Sequence, residues 1–186
     1  MAGHQEYSEY LQRRSWLGYL YRRFFLYPKL NSYLIGNALD VGCGIGDFLS
    51  YKPDAIGVDI NRDNVNYCIK RGLNAELMQP NKLPFENSIF DNVILDNVLE
   101  HIEDPSSTLS EIYRVTKEKG CFLVGVPGRK GYLSDDDHKT FYDETSLCHV
   151  VEGFGFTLKE TFFTPFPSTW LDRNARQYCL YGLFSK

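Results

Sequence analysis

The order of apolar and polar segments predicts an α/β fold: a doubly wound, mostly parallel sheet of seven strands, with helices on both faces and a helical arm at the N-terminus. Three observations predict it. Short apolar runs alternate with amphipathic stretches from Asn37 onward, the first such run stops at a cluster of glycines, and the residues able to bind or react fall where the runs end. In a parallel sheet ligands bind beyond the carboxyl ends of the strands, near the point where strand order reverses.

The arm comes first. From Glu6 to about Tyr27 apolar residues recur at helical spacing, which predicts one or two amphipathic helices closed by Pro28. Residues 37–41 form a short buried strand that runs into a tight turn, and helical residues follow from Ile45 to about Tyr51. Ala55 to Val58 is the second strand, ending at Asp59. Asn61 or Asp63 then caps a helix to Arg71, which Gly72 stops. A third strand, Asn74 to Met78, leads through the polar loop from Gln79 to Asn87 into the apolar strand Asn92 to Leu95.

Asp104-Pro105 opens a helix to about Thr116, with proline at the first turn where its missing N–H costs nothing. Gly120 to Val126 is the fifth strand, ended by Pro127-Gly128. A helix from Asp143 to Glu152 and two strands, Thr157 to Phe163 and Arg176 to Phe184, complete the chain, the last read as an edge strand. With 186 residues the chain suits one core and is short for two. We expect a single domain: an arm or lid over residues 1–36, a binding core over 37–127, and a loop, helix and last strands over 128–186.

Composition narrows the functional classes. No apolar run is long enough to span a bilayer and Met1 to Tyr10 is too polar for a signal peptide, so a cytoplasmic protein is expected. Five scattered cysteines without a Cys-x-x-Cys pair argue against a disulfide framework and a structural zinc site. A formal net charge of -4 gives no reason to expect nucleic acid as a partner. The charge is uneven, however: Arg13, Arg14, Arg22, Arg23 and Lys29 crowd the arm against only Glu6 and Glu9.

The glycine loop carries the chemistry. Gly42, Gly44 and Gly46 follow a buried strand and open a helix, where glycine permits a positive-φ turn and close approach of a ligand. A bare turn without a ligand is the simplest reading. A dinucleotide site would have Gly-x-Gly-x-x-Gly with pyrophosphate on the helix N-terminus. Here Asp47 takes the third glycine's place, and with Asp40 it would repel a pyrophosphate while attracting an ammonium and a sulfonium. Asp59, 17 positions after Gly42, can accept hydrogen bonds from both ribose hydroxyls, or simply cap a helix; Ile60 could cover an adenine ring.

Leu39-Asp40-Val41-Gly42-Cys43-Gly44-Ile45-Gly46 resembles motif I of the class I S-adenosylmethionine-dependent methyltransferases, and Gly57-Val58-Asp59-Ile60 the ribose-binding strand end that follows it. Leu83-Pro84-Phe85, Ser88-Ile89-Phe90-Asp91 and Val98-Leu99-Glu100-His101-Ile102 are similar to the branch called methyltransferase type 11, as is Arg114-Val115-Thr116-Lys117 before Gly120. The resemblance covers about Ala38 to Pro127. It implies a Rossmann-like sheet with an antiparallel last strand and S-adenosylmethionine as cofactor. Asp40 and the loop backbone, Cys43 included, would hold the methionine portion and Asp59 the ribose. Asp96 and Asn97 would lie near the amino group and the methyl. The aspartate usual after strand three is replaced by Gln79, followed by Pro80 and Asn81; Gln79 can still accept from the adenine amino group.

A neutral hydroxyl acceptor would benefit from a general base, and His101 is the candidate, or else a histidine with local bonds only. His138 lies on the acceptor side in Asp135-Asp136-Asp137-His138, a run read as a solvated loop; no metal is expected. The Asn/Asp-Pro-Pro-Tyr/Phe tetrapeptide of amino-methylating nucleic-acid enzymes is absent, Asp96-Asn97-Val98-Leu99 standing in its place. The arm from Arg13 to Tyr27 reads as a lid, as a packed helix, or as a surface meeting an anionic or membrane-borne substrate. The expected acceptor is a small molecule or a lipid- or sugar-linked glycan hydroxyl. The competing reading is a non-catalytic protein that keeps the fold and binds the cofactor or its product, S-adenosylhomocysteine; an NAD-dependent oxidoreductase is disfavoured by Asp47.

Overall fold

The computed structural model describes residues 16–186; Arg13, Arg14 and the start of the arm lie outside the described residues. Seven strands form one sheet in the order β3-β2-β1-β4-β5-β7-β6, with β1 Ala38–Val41, β2 Ile56–Asp59, β3 Ala75–Leu77, β4 Phe90–Asp96, β5 Thr116–Pro127, β6 Thr157–Thr164 and β7 Cys179–Ser185. The first five run parallel, and β7 is antiparallel to both of its neighbours. Strand order reverses between β1 and β4, which leaves a crevice outside their carboxyl ends.

Alternation along the strands sorts the core into two layers, because successive side chains of a strand point to opposite faces. Leu39, Val93, Leu95, Phe122, Val124, Leu180 and Phe184 pack with Leu109, Ile112 and Val115 of one helix and Leu147 and Val151 of another. Ala38, Ile94, Leu123 and Tyr181 pack with the arm residues Leu26, Tyr27 and Leu30 and with Phe48, Leu49, Val65 and Cys68. The same parity puts Asp40, Asp59 and Asp96 on the arm side of the sheet, at neighbouring strand ends.

The helices follow their local chemistry. The helix Arg62–Lys70 is capped by Asn61, whose side chain accepts from the Asp63 N–H. Asp143 and Ser146 form a reciprocal capping box on Glu144–Glu152. The helix Ser106–Val115 covers the first core layer.

Three expectations are corrected. Pro28 does not close the arm: helix Trp16–Tyr21 passes through a π turn, Arg22–Leu26, into Tyr27–Asn31, with Pro28 in that segment's first turn. The π turn changes the ladder, the Tyr27 N–H donating to the Arg22 carbonyl, and proline's missing donor is not needed at a first turn. The last strand is not the edge: β7, the more buried, lies between β5 and β6, and half-exposed β6 takes the edge. The short helices Arg129–Tyr132 and Thr169–Asn174 carry no periodic apolar signal and go unpredicted. No helix among the described residues is long and apolar enough to cross a membrane.

Gly125 shows how tightly the sheet meets its second layer. Its register partner on β7 is Tyr181, and a Cβ there would stand 2.4 Å from the Tyr181 ring and 2.6 Å from Asp96 Oδ1. Gly125→Ala is expected to cost about 1–3 kcal/mol by overpacking. That corresponds to a fall of roughly 3–10 °C in melting temperature, checked by thermal unfolding.

Candidate active site

A cavity of about 1150 Å³ opens above the crevice between β1 and β4. That exceeds the roughly 300–1000 Å³ of an ordinary small-molecule pocket, and so leaves space for two reactants. Its floor is the turn after β1. Gly42, Gly44 and Gly46 all have positive φ, and a Cβ on Gly42 would lie 2.5 Å from Val98 Cγ2. Only glycine lets this turn sit against the β4 end while keeping its backbone open to a ligand. The Gly42 and Cys43 N–H groups donate to the Val58 carbonyl at 2.7 and 3.0 Å, fixing the turn to β2.

Asp59 ties that turn to the next helix. Its carboxylate accepts from Gly44 N at 2.8 Å, Asn61 N at 2.7 Å and Asn64 Nδ2 at 3.4 Å. Asn61, not Asp59, is the helix cap, so Asp59 stands at the cavity wall as a positioned acceptor. Asp40 is buried beside it. Desolvation, then the charges of Asp96 and Asp59, push its carboxyl well above the usual carboxylate range. Asp96 accepts from the buried Tyr181 hydroxyl and from Asn97 Nδ2, both at 2.8 Å. This wall gathers three acidic side chains at neighbouring strand ends and suits a cationic ligand.

Asp47 plays a different part from the one expected. It pairs with Arg22 of the arm at 3.3 Å, so its charge is partly compensated. The repulsion of a pyrophosphate therefore rests on Asp40, Asp59 and Asp96. Tyr21, Arg22, Leu26 and Tyr27 line the cavity, which makes the described part of the arm a wall of the site. Half-exposed Ile60 also lines it, as an adenine platform would.

Most predicted residues converge there: Asp40, Gly42, Cys43, Gly44, Asp59, Ile60, Pro80, Asn81, Asp96, Asn97, His101 and His138 all line the cavity. Gln79 and Gly46 do not. Gln79 is exposed and paired in a small bridge with Lys82, while Met78, Pro80 and Asn81 form that wall; Gly46 serves the backbone turn. Sequence reasoning named Arg22 only as part of the basic arm, and missed Asn64, Glu100 and Tyr181 as residues of the site. Of these, only Glu100 carried a signal, standing beside His101 in a quoted motif.

At the far end the loop after β5 folds back on the β4 end, Lys139 N and Thr140 N donating to the Glu100 carbonyl at 2.7 and 3.2 Å. That brings His138 against His101, with ring centroids 4.5 Å apart. Burial first, then His138, hold the His101 imidazole below its ordinary value. The His138 ring stacks on Tyr132, and its Nδ1 lies 2.7 Å from the Tyr132 carbonyl. Glu100 is 1% exposed, neither carboxyl oxygen has a hydrogen-bond partner among the described residues, and desolvation pushes it up to about 8.

A mostly parallel open sheet with a glycine turn and acidic strand ends around one cavity defines a Rossmann-like fold. Residues 39–124 of the chain match the family described as "Methyltransferase domain". The chain is 33% identical over 98 residues to an uncharacterized protein of Methanocaldococcus jannaschii, covering 53% of this chain and 48% of that one. It is 32% identical over 108 residues to a ubiquinone/menaquinone biosynthesis C-methyltransferase of Desulfotalea psychrophila, covering 53% and 44%. The chain thus spans about half the length of the curated relatives it matches. In fold it is similar to a Thermotoga maritima SAM-dependent methyltransferase, possible histamine N-methyltransferase, with a TM-score of 0.79 at 18% identity over 98% and 97% of the two chains. S-adenosylmethionine is the cofactor this family implies, and the acidic wall with its glycine floor fits it.

Proposed function

We propose that the chain transfers a methyl group from S-adenosylmethionine to a hydroxyl oxygen of a small or lipid- or sugar-linked acceptor. The observation that carries this is the single cavity shared by the acidic strand ends and by His101 and His138. Bound at the glycine turn, the cofactor supplies an activated methyl on a sulfonium. Asp40 and Asp96 offer carboxylates to its ammonium, and Asp59 and Ile60 bound the nucleoside. The walls hold donor and acceptor in line and keep water out. His101 and His138 stand at the acceptor end and are the groups that activate the hydroxyl.

The lipid- or glycan-linked acceptor draws support from the arm. Trp16, Leu17 and Phe24 are exposed on it near Arg22 and Arg23, an apolar and basic combination suited to a chain-bearing anionic substrate. Incubating the protein with methyl-labelled cofactor and fractionated polar and lipid extracts tests the reading. The expected product is a base-stable methyl ether. Label on carbon or nitrogen would overturn the acceptor assignment, and no labelled product in any fraction would favour a non-catalytic binding protein. His101→Ala is expected to lower kcat by about 10²–10⁴ with KM for the cofactor nearly unchanged, read from initial rates.

A further inference from the structure

The two histidines and Glu100 pose a question that the methyl donor leaves open. The Tyr132 carbonyl, an acceptor, lies 2.7 Å from His138 Nδ1, so that nitrogen carries the proton and Nε2 presents a lone pair. Nε2 faces Glu100 Oε1 at 3.8 Å, too far for a direct hydrogen bond. A Glu100 oxygen and one nitrogen from each imidazole lie within 4.8 Å of one another. Three acceptors thus converge, the carboxylate among them buried and, among the described residues, without a hydrogen-bond partner.

We propose that Glu100, His101 and His138 bind a divalent transition-metal ion of the zinc type, a two-histidine, one-carboxylate set with its open positions toward the cavity. The His138 imidazole, fixed through its other nitrogen by the Tyr132 carbonyl, has the usual outer arrangement of such a ligand. Two nitrogens and a single carboxylate suit a zinc-like ion, and do not suit calcium or magnesium, which require more oxygen donors. Bonds of about 2.0–2.2 Å place tetrahedral ligands roughly 3.3 Å apart, so shifts of less than about 1.5 Å draw the set together. Asp135 and Asp137 line the same chamber and add negative potential. The sequence-based expectation of no metal rests on the consecutive aspartates; the geometry picks out Glu100 instead.

What the ion does rests on the methyltransferase reading: with the ion bound, His101 and His138 would act on the acceptor's oxygen through it and not as free bases, the ion easing loss of the hydroxyl proton to solvent. Whether it binds does not rest on that reading. The test uses the full, untagged chain, stripped with chelator and titrated with Co²⁺ as a spectroscopic stand-in for Zn²⁺. One equivalent is expected to bind with visible ligand-field bands and no thiolate charge-transfer band. Glu100→Gln, nearly isosteric, and His138→Ala should each weaken binding at least about tenfold while retaining the thermal shift given by S-adenosylhomocysteine, which also shows that the variants are folded. No stoichiometric binding, a thiolate band, or unchanged affinity in both variants would overturn the site. Metal binding without any S-adenosylhomocysteine shift would instead sink the cofactor reading and leave the site standing.

Discussion

Asp59→Ala is expected to weaken S-adenosylhomocysteine binding by about 100-fold or more. A carboxylate that accepts from two ribose hydroxyls makes charge-assisted bonds of about 1.5–3 kcal/mol each, and losing both exceeds the roughly 2.8 kcal/mol that a factor of 100 requires. The same carboxylate holds Gly44 N and Asn61 N, so part of the loss comes through the loop. Asp59→Asn separates the two contributions: it keeps an acceptor, removes the charge, and should cost about tenfold. Calorimetric titration of both variants checks this. Unchanged affinity in Asp59→Ala would remove Asp59 from the site.

Asp40→Asn should make the ligand-free protein more stable and the liganded one less so. Asp40 is buried among Asp96 and Asp59, and its carboxyl is held well above the normal range by desolvation and then by those charges. An acid raised in the folded state binds more protons there than when unfolded. Its stabilising contribution is therefore complete below the unfolded value of 3.8 and is lost as pH rises through the folded one. Burying this acid among two others is a burden at neutral pH that a cationic ligand relieves. Asparagine removes the burden, with an expected gain on the order of 1–2 kcal/mol, or about 2–8 °C in melting temperature. The same change should reduce cofactor affinity about tenfold or more. Melting curves from acid to neutral pH, with and without S-adenosylhomocysteine, test both halves; a fall in ligand-free stability at neutral pH would contradict the account.

Much of this was legible in the chain. Strands alternate with helices because each buried run is apolar, and the parity of Leu39-Asp40, Val58-Asp59 and Leu95-Asp96 puts three carboxylates on one side of the sheet. What escaped was long-range. The neighbours of Gly125 depend on where β7 inserts, and the apolar run of β7 beside the polar β6 shows which is inner without showing that β7 lies against β5. Arg22, at the start of the π turn, meets Asp47 in a contact between segments far apart along the chain. Gln79 occupies the expected position along the chain yet faces solvent, since a two-residue bridge with Lys82 turns the loop and leaves Met78 and Asn81 on the wall. Glu100 became visible as a site residue only once the loop after β5 had carried His138 to it.

The central claim is that the cavity above β1 and β4 takes a cationic nucleoside and not a pyrophosphate. Thermal unfolding with S-adenosylhomocysteine, and separately with NAD, tests it most directly. At 100 times its dissociation constant the former should add about 2.7 kcal/mol of stability, a rise of roughly 5–10 °C, while NAD leaves the midpoint in place. Stabilisation by NAD with no response to millimolar S-adenosylhomocysteine would contradict the account.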